Sequence, residues 1–217
     1  MNKAEPKAHM DLLMNGTVGA VLDPLGLKQK QGCTIWLDDR KWWVGVVEFQ
    51  PSSWPKGVHL NVGCMWLFFP QASVALHEGY RHFRYAPHRD DKQFESAAKT
   101  LCFEAADKVR EFRKKFATLA GTRDYLVARI DPKHALSLYF TGIACGLTGM
   151  GRDADRLLGM IESGSWTKDW EKLLKKRAQE LRPKANDKKA FQNAVVGIVN
   201  SGRSALQLGR LDNPFAE

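Results

Sequence analysis

The sequence predicts an α+β fold: an N-terminal helix, a small antiparallel sheet of three or four strands, then a mostly helical C-terminal half. Two observations carry that expectation. Five of the chain's seven tryptophans fall between Cys33 and Pro70, in its one strongly β-like stretch. Aromatic and β-branched residues suit a pleated, half-buried surface. After about residue 92 the apolar residues recur at helical spacing instead.

The elements follow in order. Met10, Leu13, Met14, Val18, Val21 and Leu22 predict a helix over 10–22. Gly16 and Gly19 weaken it by about 1 kcal/mol each. Asp23-Pro24 stops it, because a residue before proline is pushed out of the helical region. Strands are expected near 33–38, 42–50 and 58–69, with a turn at Asp38-Asp39 and a loop of turn formers over 51–57. The third strand places Val58, Leu60, Val62, Cys64, Trp66 and Phe68 on one face. Its other face begins polar with His59 and Asn61 and ends apolar, as in an antiparallel sheet with helices on one side. Gly79–Tyr85 offers a more polar fourth strand.

Five helices should follow: 92–120, one from Asp131-Pro132 to the glycines at 149–151, then 152–162, 167–182 and 187–201. Asp131 is read as N-cap and Pro132 as first helical residue. The tail from Gly209 is expected to fray. Residues 1–90 are thus a sheet region, and 91–217 a helical region packed on it in one continuous domain.

Composition narrows the class of protein. Hydrophobic residues at 44% and charged residues at 26% are those of an ordinary globular chain. No apolar run approaches the roughly 20 residues of a membrane span. The first ten residues lack the apolar core of a secretory signal, so the chain reads as cytoplasmic with no membrane partner. Cys33, Cys64, Cys102 and Cys145 are scattered and read as free thiols. The net charge of +9 accumulates after residue 70, which admits nucleic acid or another acidic surface as partner.

The most site-like stretch is the end of the second strand with its loop: Glu48, Gln50, Ser52 and Trp54. A carboxylate, an amide and hydroxyls beside a tryptophan can hold a small polar ligand, although turn chemistry is the commoner reason for such a loop. If the second and third strands pair, His59 and Asn61 join Glu48 and Gln50, with His82 and Arg84 from a fourth strand. A histidine beside a carboxylate suits acid–base work. No nucleophile with a positioned base is identifiable, so no catalytic residue is assigned. The spacings of His77, His82 and His88 fit no metal-ligand pattern, and no metal or cofactor is expected. Gly142, Gly146, Gly149 and Gly151 follow a helix and read as packing glycines rather than a phosphate loop. The basic clusters Arg110, Arg113, Lys114, Lys115 and Lys172, Lys175, Lys176, Arg177 read as solvated helix faces.

Leu22-Asp-Pro24-Leu-Gly26-Leu-Lys28-Gln-Lys30 precedes the first strand, and Val47-Glu-Phe-Gln50-Pro-Ser52 ends the second. Over about residues 10–120 this resembles a family of uncharacterised bacterial proteins, a domain of unknown function. The family is marked by an L-x-P-x-G-F-x-K segment and a v-Q-x-S strand end. The chain departs at Leu27, where an aromatic is usual, and at Pro51. The resemblance implies an α+β fold with a small sheet and trailing helices, and a link to bacterial toxin–immunity or defence loci. It brings no activity.

Tryptophan density without a catalytic set therefore suggests a non-catalytic cytoplasmic module that binds a protein partner or a second copy. The alternatives are nucleic-acid binding by the basic helical surface, and an enzyme with a small polar site on the sheet face.

Overall fold

A computed structural model describes residues 16–69, 71 and 73–216. The fold is α+β and falls into two compact units. One holds the chain up to Met65 with Val74–Lys114, and the other holds Trp66–Ser73 with Lys115–Glu217.

The first unit opens with helix α1, of which residues 16–22 are described; the rest of the helix expected over 10–22 lies outside the described residues. A 3-10 turn, Asp23–Leu25, follows it with Pro24 near its start. Gly26 closes that turn at φ 81, a left-handed backbone that glycine adopts freely. The sheet is a meander of five strands, not three or four: β1 (Lys28–Gln29), β2 (Ile35–Asp39), β3 (Trp43–Ser53), β4 (Lys56–Trp66) and β5 (Glu78–Pro87), in that spatial order. The added strand, β1, pairs antiparallel with Leu37 and Trp36 of β2. Two exposed polar residues carry no alternation, so β1 has no sequence signal. The strand expected over 58–69 ends at Trp66, where the chain turns.

Strand pairing sorts the sheet residues onto two faces. Trp36 and Asp38 of β2 stand opposite Val47 and Gly45 of β3, and Leu60 of β4 stands opposite Arg84 of β5. Helix α2 (Asp91–Lys115) lies on this face and buries Phe94, Ala98, Leu101, Cys102, Ala105, Val109 and Phe112. Its polar ties are Arg84 to Glu104 at 3.2 Å and Arg113 to Asp38. The Arg113 guanidinium donates two bonds of 2.8 Å to the Asp38 carboxylate and a third to the Leu25 carbonyl. Gly45 makes room for Asp38, since a Cβ there would press on the aspartate side chain.

The opposite face is apolar at one end, where Leu37, Val44, Val46 and Met65 are buried. At its other end it is polar. Between β4 and β5 the ladder slips: Leu60 faces Arg84, yet Val62 faces Tyr80, which leaves 81–83 bulged opposite Asn61. Past the bulge the strands cross at Gly63 and Gly79. A Cβ on either would run into the other strand's backbone, and Gly79 sits at φ 128.

His77, in the turn before β5, is pushed down to about 4 by burial. A depressed histidine means that the unfolded chain binds more protons between about 4 and 6.5. Its contribution is therefore complete above pH 6.5 and lost as pH falls toward 4. That amounts to about 3 kcal/mol at most. Urea unfolding at pH 7 and pH 4.5 should show this loss in the native chain and a smaller one in His77→Gln. Equal slopes would refute the assignment.

The second unit is helical: α3 (Leu119–Ala128), α4 (Ala135–Leu147), α5 (Gly151–Ser163), α6 (Asp169–Leu181) and α7 (Lys188–Ala205). The sequence led to one helix over 92–120, but the chain breaks after Lys115. Thr118 caps a new helix there, its hydroxyl accepting from the Gly121 amide at 3.1 Å. Asp131 caps a turn through the Lys133 amide rather than a helix, so α4 begins only at Ala135. Gly142 and Gly146 do serve packing, and a Cβ on Gly146 would collide with the Phe191 ring of α7. The tail is not frayed. Asn200 exchanges both amide bonds with the Leu211 backbone, and Arg203 donates to the Gly209 carbonyl at 2.6 Å.

Candidate functional site

The polar end of the sheet face opposite α2 is organised by Asn61. Strand alternation aims its side chain at β3 on one side and at the β5 bulge on the other, and it is 1% exposed. Its amide donates to Glu48 Oε2 at 2.8 Å and Gln50 Oε1 at 3.0 Å, and its carbonyl accepts from the His82 amide at 2.7 Å. Three of the four bonds open to an asparagine are made, which is what burial of an amide demands. The last of them holds His82 at φ 49, an uncommon conformation for a residue other than glycine. Asn61 thus replaces the ladder bond that the bulge removes.

Beside it three rings gather. His59 stacks on His82 with centroids 4.5 Å apart and lies 4.7 Å from the Tyr85 ring. Tyr85 anchors this group by donating to the Lys56 carbonyl at 2.9 Å. His59 Nδ1 is buried without a hydrogen-bond partner. Burial, and secondarily His82, hold the His59 imidazole below its usual value, so it stays neutral further into the acid range.

The structure therefore brings together Glu48, Gln50, His59, Asn61 and His82. It does not pair Glu48 with a histidine, because Asn61 takes up that carboxylate. Arg84 leaves this group for the opposite face and Glu104. Ser52 lies farther along β3 on the same face by strand alternation. Trp54 stands apart, 92% exposed at the two-residue tip of the β3–β4 hairpin. The remaining β-region tryptophans, Trp36, Trp42, Trp43 and Trp66, are core. Tyr85 was missed by the sequence reading; its register opposite His59 could have found it, once β4 and β5 were aligned.

Half of the residues in the helical basic clusters are paired with acids. Arg110, Lys172 and Arg177 each meet an acid three residues away, and Arg113 is bound to Asp38. Among the described residues no helix is long and apolar enough to cross a membrane. Comparison with protein families, with curated proteins and with solved structures gives no match.

Proposed function

We propose that the chain is a non-catalytic cytoplasmic interaction module that docks a protein partner through the β3–β4 hairpin tip and the β5 margin. One observation carries this reading: Trp54 is 92% exposed at the tip of a hairpin whose strands are buried away from that tip. Tryptophan offers large, stiff contact area and is over-represented among residues that dominate binding energy. A ring left in water at a hairpin tip has no role in folding that its burial could reward. Tyr80, 43% exposed on β5, extends the same margin. The polar cluster at Asn61 then supports the surface rather than performing chemistry. The family resemblance, and a toxin–immunity or defence setting, belong to this same proposal.

The test is a photo-crosslinking amino acid placed at position 53, exposed beside an intact Trp54, in the full chain expressed in bacteria. Discrete protein adducts are expected from position 53 and none from Val127, an exposed apolar residue on α3. No adduct at position 53, or adducts with nucleic acid only, would overturn the proposal.

A further inference from the structure

The charges around β4 and β5 divide into those used by the fold and those left over. Arg84 meets Glu104, Lys108 meets Glu111, and His88 meets Asp91. Asp90 accepts from the Gln93 amide at the start of α2. Glu48 is held by Asn61. Every one of these acids is engaged within the fold. Three cations on the same margin are not: the side chains of Lys56, Arg81 and Arg89 make no ion pair or hydrogen bond among the described residues. Lys56 follows the Trp54 tip, and its carbonyl accepts from the His88 amide at 2.9 Å, which sets Arg89 beside that tip. Arg81 lies in the bulge next to Tyr80. Glu78 is the one acid of β5.

We propose that the partner is a protein presenting acidic side chains, held on this margin by Lys56 and Arg89 beside Trp54 and by Arg81 farther along β5. The inference rests on the docking role given to Trp54 above and adds the chemistry of what docks there. Complementary charge steers association and fixes register, while the aromatic contact supplies affinity. The margin does not suit a regular phosphate array. Asp90, Asp91, Glu104 and Glu111 interrupt the cations, so these form no continuous row for a polyanion, whereas a protein can place single carboxylates at separate points. Strand addition to the β5 edge is blocked at its middle, since the bulge with His82 at φ 49 breaks the row of edge bonds. Recognition therefore runs through side chains.

The experiment is selection of random displayed peptides on the immobilised full chain, with counter-screens against Trp54→Ala, against Arg81→Glu with Arg89→Glu, and against Lys56→Glu. Circular dichroism and thermal melting confirm that each variant is folded. Recovered peptides should be enriched in Asp and Glu and should bind the charge-reversed variants about tenfold more weakly. Peptides that depend on Trp54 but carry no acidic enrichment, and that bind the charge variants normally, would overturn the acidic partner and leave the docking role standing. Recovery of no Trp54-dependent peptide would overturn both. An oligothymidylate that binds as tightly as the peptides, and through the same arginines, would overturn the protein partner in favour of single-stranded nucleic acid.

Discussion

Arg113→Leu is expected to cost about 3–5 kcal/mol of stability, the largest loss of any single substitution considered for this chain. The Asp38 side chain is only 4% exposed, and the half-buried fork of Arg113 is its counter-charge. Removing the arginine strands a carboxylate against the sheet and leaves the Leu25 carbonyl without its donor. Breaking a buried pair from one side is far more damaging than replacing both members. Asp38→Asn with Arg113→Leu should therefore be more stable than Arg113→Leu alone. Arg113→Lys should fall between, because a point charge cannot make the bidentate contact. Denaturant unfolding of these chains and of Asp38→Asn alone closes the double-mutant cycle and measures the coupling. A loss below about 1 kcal/mol for Arg113→Leu would show that solvent reaches Asp38 in its absence.

Asn61→Asp is expected to cost about 3 kcal/mol at neutral pH. The substitution keeps size and shape, and the bond from the His82 amide survives. What it loses is the donor end. Two acceptors, Glu48 Oε2 and Gln50 Oε1, would then face a second carboxylate at hydrogen-bond distance. Like charges at that range raise the pKa of one member, so acid should return part of the loss as the new carboxyl protonates and donates. Asn61→Leu has no such recovery, since it leaves the His82 amide and both acceptors unpaired. Unfolding at pH 7 and pH 5, with exchange of the His82 amide read by NMR, separates the two. A stable Asn61→Asp chain with an unchanged His82 amide would refute the keystone role given to Asn61.

The polar cluster shows where sequence reading stops. Glu48, Gln50, His59 and Asn61 were legible because strand alternation is period two and fixes which residues share a face. Their roles were not. Whether Glu48 meets a histidine or an amide depends on register, and register here is altered by a bulge that places three β5 residues opposite Asn61. The tryptophans make the same point. Trp42, Trp43 and Trp54 look alike in the sequence, yet the first two are core and the third is at a hairpin tip. Composition cannot tell an anchor from a core residue; only exposure can.

The helical half divides the same way. Amphipathic stripes located α4 to α7, because a helix with one buried face must repeat at 3.6 residues. The break after Lys115 escaped notice, since the apolar stripe continues through Phe116 while a threonine cap starts a new helix. What the sequence determined by itself was the class: a β-rich aromatic segment followed by amphipathic helices, set by local periodicity and propensity. What only the tertiary structure decided was the bulge, the Asp38–Arg113 pair and the unpaired cations of the β4–β5 margin. Each depends on which distant residues meet, and that is fixed by strand register and helix docking rather than by any neighbour in the chain.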